Sequence, residues 1–345
     1  MENPENLKCE VIANVSEMSH REWLDLRSTG IGGSDTAAIY GESGYTSPYT
    51  LWAQKSGREK REVVTNEAME WGNLLEGVVA NKFAKEYNYS VVEWPVMLKS
   101  KKNAFMLANL DFLIVEASKE FPAGKVTRHD SLEPPTGINA ILEIKTTGIV
   151  GRGSAHLWED NHIPRAYELQ GLHYATVTGI EQVVFAALVA NEGLVVRGRL
   201  YDESEMLQCE ITEAIFWSSV KSGIPPELDG SESTSESIRK MYPKSKEGTV
   251  VEADEYILET YYQYIDEKRI LDMQEEKVKE LRSTLEMAIG EGEVLEYNGK
   301  PLLTYKSNKD SMAFDVKSFE VAYPEMYEQF LMPRKGARVM RVKKV

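Results

Sequence analysis

The 345-residue chain suits one large domain or two smaller ones, and 42% hydrophobic and 28% charged residues mark an ordinary globular protein. No apolar run is long enough to span a bilayer, and the opening MENPENLKCEVIANVSEMSH lacks the basic start and apolar stretch of a signal peptide, so a cytoplasmic location without membrane contact is expected. A net charge of −15 speaks against coating nucleic acid by bulk electrostatics, and two cysteines, Cys9 and Cys209, in no paired motif exclude a cysteine-built zinc or iron–sulfur site.

Residues 20–60 read as short helices broken by glycine turns. Apolar residues at Trp71, Leu74, Leu75, Val78, Val79, Phe83 and Tyr87 have helical spacing and predict a helix over 71–88 with one buried face. Strands are expected at 90–98 and 104–115, then a surface loop over 116–139, where prolines, glycines and charges crowd together. A short apolar strand, 140–145, precedes a helix over 164–179, with Pro164 near its start and Gly179 at its end. Residues 183–190 and 194–201 form a hairpin around Asn191-Glu192-Gly193. Asp202-Glu203-Ser204-Glu205 resembles a capping box and opens a helix to about Ser222, ended by Pro225-Pro226. This order predicts an α/β fold with a mixed sheet and helices packed on it.

Residues 227–250 are polar and serine-rich and read as a linker or lightly held extension between a core at 1–226 and an accessory region at 251–345. That last region holds a long helical pattern over 252–289, with Ile257, Tyr261, Tyr264, Leu271, Val278, Leu281 and Leu285 as candidate buried positions. A hairpin over 293–306 turns at Asn298-Gly299. Two basic clusters stand out against the acidic background: Lys99, Lys101 and Lys102, and the C-terminal Arg334, Lys335, Arg338, Arg341, Lys343 and Lys344. Each reads equally well as a solvated surface or as a local grip on DNA.

Phosphodiester hydrolysis needs a cation to polarise the phosphate, an activated water and help for the leaving oxygen. Magnesium prefers oxygen ligands, so carboxylates plus a lysine suit it. Glu143-Ile144-Lys145 is the best local candidate. Residues two apart in a strand share a face, which puts Glu143 and Lys145 together, with the Ile144 carbonyl between them within reach of a metal. The triplet alone is common in surface strands, but the flanking Ala140-Ile141-Leu142 makes this strand look central. Asp111 lies inside an apolar stretch, where an acid needs a partner or a metal; a strand bend is the other reading. Glu76 borders the buried face of its helix, where it either reaches a metal from the side or is an ordinary exposed acid. Gln170 shares a face with Tyr167 and Tyr174 and could orient the lysine or a water. In Gly30-Ile31-Gly32-Gly33-Ser34-Asp35, backbone N–H groups at a helix start, with Ser34 and Arg27, suit a phosphate; a helix start capped by Ser34 or Asp35 is the alternative.

Taken in order, these pieces resemble the YqaJ-type viral recombinase family, relatives of lambda exonuclease in the PD-(D/E)XK nuclease superfamily. The resemblance rests on Arg27-x-x-Gly30-Ile31-Gly32-Gly33-Ser34-Asp35-x-Ala37-Ala38, Ser47-Pro48-Tyr49-x-Leu51-Trp52, Lys55-x-Gly57 and Gly72-x-x-Leu75-Glu76. It continues through Asp111, Glu143-x-Lys145, Ile163-Pro164-x-x-Tyr167-x-x-Gln170 and Pro225-Pro226-x-x-Asp229-Gly230-Ser231-Glu232. The residue before Asp111 is Leu110, where the superfamily motif has proline. The resemblance implies a restriction-endonuclease-like core with a central mixed sheet, followed by a C-terminal helix and hairpin extension. It also implies a Mg2+-dependent exonuclease, with Mn2+ as a substitute, acting 5′-to-3′ on double-stranded DNA ends in phage-type recombination. Asp111 and Glu143, with the Ile144 carbonyl and Glu76 in support, would hold metal. Lys145 would activate water, Gln170 would orient it, and Arg27 and Ser34 would hold the 5′-phosphate. A single-strand-annealing protein and a ring-trimer homo-oligomer are the implied partners. A structure-specific endonuclease, or a DNA-binding assembly protein without catalysis, is the alternative.

Overall fold

A computed structural model describes residues 7–60, 66–148, 155–190, 192–334 and 336–342. It divides into two compact units, Met1–Pro243 and Lys244–Val345.

The first unit opens with β1 (Cys9–Asn14) and three short helices, α1 (His20–Ser28), α2 (Gly33–Ile39) and α3 (Pro48–Lys55). Ser19 and Glu22 form a reciprocal capping box on α1, and Ser47 caps α3 with Pro48 in its first turn. Helix α4 (Glu67–Tyr87) ends at Asn88 in the left-handed conformation, φ 54°. There follow β2 (Ser90–Glu93), β3 (Val96–Ser100), β4 (Leu107–Ala108), β5 (Phe112–Val115), β6 (Lys125–Arg128), β7 (Ile138–Thr147), α5 (Arg165–Thr178), β8 (Gln182–Val189), β9 (Gly193–Leu200), α6 (Glu203–Ser222) and α7 (Glu232–Met241).

Six strands form the main sheet in the order β6-β2-β5-β7-β8-β9. It is mixed: β2/β6 and β7/β8 pair in parallel, and the other pairs are antiparallel. A second sheet, β1-β3-β4, lies beside it. The expected α/β core, a mixed sheet flanked by helices, is what the structure shows.

The alternation along β7 explains how the sheet is covered. Ala140, Leu142 and Ile144 pack with Val79, Ala80, Phe83 and Ala84 of α4. Ile141, on the opposite face, packs with Leu169, Leu172 and Ala175 of α5. Glu143 and Lys145 follow Ile141 at the same parity, so the pleat aims both at α5.

Several expectations are corrected. The 90–98 strand is two strands separated at Trp94-Pro95, because proline lacks the N–H a ladder needs. The 104–115 strand is interrupted at Leu110-Asp111. The 116–139 loop contains β6, which adds an edge strand beside β2. The buried face of α4 is narrower than its sequence pattern: Trp71, Leu74, Val78 and Tyr87 are exposed. Helix α6 has its expected capping box but ends at Gly223, φ 74°, before Pro225. Residues 227–250 are not simply a linker. Helix α7 docks on α3 through hydroxyls that composition alone presents as polar surface: Thr234 Oγ1 donates to Ser47 Oγ at 2.7 Å and Thr50 Oγ1 to the Ser233 carbonyl at 2.9 Å. Thr234 and Ser237 are buried, and the first unit accordingly runs to Pro243. Of the first basic cluster, Lys99 pairs with Glu10 and Lys102 with Glu210, each at 2.7 Å, and Lys101 donates to the Leu7 carbonyl at 2.8 Å. These contacts neutralise much of its charge.

The second unit holds α8 (Glu255–Ile289), the hairpin of β10 (Val294–Tyr297) and β11 (Lys300–Thr304), and two short helices, α9 (Val316–Ala322) and α10 (Pro324–Gln329). Asn298 and Gly299 both adopt positive φ, 49° and 74°, as a two-residue hairpin turn requires. Ile257, Tyr264, Leu271, Val278, Leu281 and Leu285 are exposed rather than buried. Of the C-terminal basic cluster, Arg334, Arg338 and Arg341 are exposed, while Lys335, Lys343 and Lys344 lie outside the described residues, as does Asn191 of the β8–β9 turn. No described helix is long and apolar enough to cross a membrane.

Candidate active site

Strands β5 and β7 set the centre. Their register pairs Phe112 with Leu142, so Asp111 and Glu143 meet one step further on. There the Asp111 carboxylate accepts the Ile144 backbone N–H at 2.9 Å. A side chain thus serves a backbone donor just past the last ladder pair, which accounts for the break in the strand.

Glu143 is fully buried. Its Oε1 accepts from Lys145 Nζ at 2.6 Å and from Gln170 Nε2 at 2.6 Å. Its Oε2 is buried without a hydrogen-bond partner. Gln170 also donates to the Tyr174 hydroxyl at 2.9 Å, so α5 fixes the carboxylate from one side. Lys145 Nζ stands 4.9 Å from the Tyr167 ring centre, a cation–π distance.

Desolvation is the first electrostatic effect here and the neighbouring acids add to it. Burial, then the charge of Asp111, push Glu143 up to about 8. The same two causes, in the same order, push Glu76 up to about 7. Burial raises Asp111 against the opposing pull of Lys145, the Ile144 N–H and a side-chain hydrogen bond with Glu143 that forms when one of the two acids carries a proton. Burial opposes the charge on Lys145, but Glu143 and Asp111 outweigh it and hold its pKa above the usual lysine value. Three acids therefore gather around one ammonium, and ionising them together carries a cost that a divalent cation would relieve.

A cleft of about 340 Å³ opens beside these groups. Glu76, Asp111 and Gln170 line it together with Arg27, Ser34 and Trp23. Arg27, Ser34, Glu76, Asp111 and Gln170 thus line this cleft, Glu143 bonds to the lining Gln170, and Lys145 is joined to it one step further back, through Glu143. The glycines of the turn before α2 make this approach possible. A Cβ on Gly33 would stand 2.6 Å from Tyr174 Cε1 and 3.0 Å from Gln170 Cγ, and one on Gly30 would stand 2.3 Å from the Phe105 carbonyl oxygen.

Two expectations change in detail. The Gly32 N–H is taken by Asp35 Oδ2 at 3.0 Å, so the backbone of the turn is less open to an anion than its glycines suggest. What faces the cleft is the Arg27 guanidinium, hydrogen-bonded to the Ser34 hydroxyl. Gln170 bonds to Glu143, and so reaches Lys145 through a shared acceptor rather than directly.

Sequence reasoning passed over Trp23 and Asn109, whose Nε1 and Oδ1 meet at 3.2 Å beside the cleft, and Asn73, one helical turn before Glu76. The spacing from Glu76 was the available signal for Asn73. It also missed a buried pair. His173 Nδ1 faces Glu213 Oε1 at 2.8 Å and its Nε2 faces the Leu107 carbonyl at 2.8 Å. Thr36 of α2 donates to the same Glu213 oxygen at 2.8 Å. Both ring nitrogens meet acceptors, which fixes an imidazolium, and Glu213 raises the pKa of His173 against the desolvation that opposes it.

Among the described residues no group of three or more His, Cys, Asp or Glu side chains is arranged to hold a metal ion. The donor set nevertheless suits a hard divalent cation, which commonly takes only one or two carboxylates, with water and substrate oxygens completing its shell. Asp111 and Glu143 would be the two carboxylates to hold it, and the Glu143 Oε2, without a hydrogen-bond donor, would offer it a buried lone pair.

A sequence model of the YqaJ-like viral recombinase domain matches residues 22–181. An uncharacterized protein, YqaJ, of Bacillus subtilis (strain 168) is 30% identical over 330 residues, 93% of this chain and 94% of that one. The chain belongs to the YqaJ-like viral recombinase family. Among solved structures, an alkaline exonuclease (LHK-Exo) from Laribacter hongkongensis gives a TM-score of 0.46 at 16% identity, covering 59% of this chain and 94% of that one. The same enzyme in complex with dAMP gives 0.45 at the same identity and coverage.

Proposed function

We propose that this protein is a Mg2+-dependent deoxyribonuclease that degrades double-stranded DNA from its ends, 5′-to-3′, in phage-type recombination. The observation that carries the reading is Glu143: a fully buried carboxylate with one oxygen fixed by Lys145 and Gln170 and the other without a donor when both it and Asp111 are ionised. A structural acid in a core is paired at both oxygens or replaced by an apolar residue. An acid held at one oxygen only is poised for a ligand.

In this reading Asp111 and Glu143 hold the cation, with the Ile144 carbonyl beside them and Glu76 at the rim. Mg2+, or Mn2+ in its place, would supply charge to polarise the scissile phosphate and acidify a water. Lys145 keeps its proton at neutral pH while bonded to Glu143, so its first task is to position the attacking water and offset charge building on the phosphate. Gln170 holds the Glu143 carboxylate in one orientation. Arg27 and Ser34, which line the same cleft as Glu76 and Asp111, would take the 5′-terminal phosphate.

The family's recombinase character supports an annealing protein as the partner that receives the exposed strand, and a ring-shaped homo-oligomer as the assembly. Light scattering would then give about three times the 39.0 kDa chain mass. The exonuclease reading is tested by offering linear duplex, with and without 5′-phosphate, and a closed circle in Mg2+. Loss of linear DNA alone is expected. Cutting of the circle would establish an endonuclease instead.

A further inference from the structure

Lys145 is held by more than the carboxylate that the proposed chemistry gives it. Its side chain is 16% exposed, and its ammonium donates to Glu143 Oε1 at 2.6 Å. That oxygen is shared, because Gln170 Nε2 also donates to it at 2.6 Å. A lysine carries its charge on a flexible four-carbon stem, so an ammonium tied at one shared oxygen can still pivot about that bond. The second contact is the ring of Tyr167, whose centre lies 4.9 Å from Nζ. A ring face attracts a cation without carrying a net charge, so it holds the ammonium without adding a further acid to those already gathered there.

Tyr167 is itself fixed in two ways. It lies three residues before Gln170 on α5, so one helix carries both the amide that orients Glu143 and the ring that meets Lys145. The ring of Trp158, in the segment before α5, also stacks on it, with 5.9 Å between centres and 30° between planes. Trp158 is fully buried, and its carbonyl accepts from Arg197 Nη2 of β9 at 3.3 Å. This packing has a cost: the Trp158 Nε1 and Arg197 Nε donors are buried and lack an acceptor among the described residues. An apolar side chain at position 158 would bury no donor. What the indole adds is a broad flat face for Tyr167 to lie against.

We propose that Tyr167 is a positioning residue whose ring face, steadied by Trp158, holds the Lys145 ammonium where it orients the attacking water. This rests on the reading of Lys145 given above. The contact depends on the electron density of the ring face and not on the phenol oxygen. Tyr167→Phe therefore keeps it. Fluorines placed on that phenyl ring draw density from its face and weaken the contact, while its shape stays nearly the same.

The test compares wild type, Y167F, a protein with trifluorophenylalanine in place of Tyr167, W158L and K145A on linear duplex. The readouts are kcat and KM in Mg2+, duplex affinity by fluorescence anisotropy in EDTA, and Tm. Y167F is expected to keep kcat within about twofold of wild type. The fluorinated protein is expected to lose about tenfold in kcat relative to Y167F, the worth of one cation–π contact away from water. Its KM, its affinity in EDTA and its Tm should stay those of Y167F, a split that a merely structural role would not produce. W158L is expected to lose a similar factor of about ten in kcat at unchanged duplex affinity. Should W158L not fold, the fluorinated protein decides the proposal alone, because the packing around Trp158 is intact in it. A fluorinated protein as fast as Y167F overturns the role of Tyr167, and a folded W158L with the kcat of wild type overturns the part given to Trp158. A K145A that cleaves at the wild-type rate, or a wild type that does not cleave, overturns the reading of Lys145 and the role of Tyr167 with it.

Discussion

Gly33→Ala is the sharpest perturbation of the junction between the glycine turn and α5. The added Cβ would stand 2.6 Å and 2.8 Å from Tyr174 Cε1 and Cζ, and 3.0 Å from Gln170 Cγ. Carbon atoms rest about 3.5–4.0 Å apart, so the ring must shift by roughly 1 Å or the turn must retreat. Tyr174 is buried and cannot swing freely into solvent. Overpacking of this kind costs about 1–3 kcal/mol, which for a unit of this size lowers Tm by roughly 2–12 °C. The functional loss is larger, because Tyr174 and Gln170 share a bond and Gln170 holds Glu143. A misplacement of about 1 Å at a reacting group costs about 100-fold in rate. Gly77→Ala is the control: it lies in α4 with nothing within 4 Å of its Cβ position, and removing a mid-helix glycine stabilises by about 1 kcal/mol. Thermal melts and duplex digestion rates would be measured on both. A Gly33→Ala protein with the melting temperature and rate of wild type would refute the packing account.

Gln170→Ala removes one of the two donors on Glu143 Oε1 and should slow cleavage by about 10–100-fold while the fold, followed by circular dichroism, persists. Glu213→Gln strips the buried His173 imidazolium of its carboxylate and should cost about 3–5 kcal/mol in urea denaturation. Because the folded-state pKa of His173 is raised, its stabilising contribution is complete below about pH 6.5 and is lost as pH rises through the folded value. The stability gap between wild type and His173→Gln should therefore shrink from pH 6 toward pH 10; a gap constant over that range would show a neutral ring. The acids at the site behave oppositely to salt-bridged ones. With Glu76 raised to about 7 and Glu143 to about 8, their contribution to the metal-free fold is full below about pH 4.5 and lost as pH rises through those values. Mg2+ should thus raise Tm more at high pH than at pH 6, and an increment independent of pH would count against cation binding by these carboxylates.

The sequence was most informative where a periodicity or a cap has a local cause. Helical spacing located α4, Pro164 and Gly179 bracketed α5, an isoleucine- and leucine-rich run marked β7, the Asn191-Glu192-Gly193 signal marked the β8–β9 hairpin, and Asp202 with Glu205 marked the start of α6. Parity along Glu143-Ile144-Lys145 predicted a shared face because a pleat has no freedom to do otherwise. What stayed hidden depends on partners far along the chain. Nothing near Ser231–Ser237 says that its hydroxyls will be buried against Ser47 and Thr50, so the segment reads as linker. Strand β6 pairs with β2 at the sheet edge, where half-exposed polar residues look like any loop. The His173–Glu213 pair spans two helices with no spacing to reveal it, and Trp71, Leu74 and Val78 show the converse, a helical stripe that the fold leaves exposed. The candidate centre was legible because its motifs are local. Its support, the Tyr167 ring beside Lys145 and Gln170 on the Glu143 oxygen, is set by tertiary contact.

The most direct test of the central claim is DNA cleavage in Mg2+ by wild type and Lys145→Ala, with duplex binding measured on the same preparations. Wild type is expected to digest linear duplex. The variant is expected to bind DNA with similar affinity but to lose most of the cleavage rate, because the ammonium that faces Glu143 is gone. Cleavage by the variant at the wild-type rate would contradict the assignment of this site as the reaction centre.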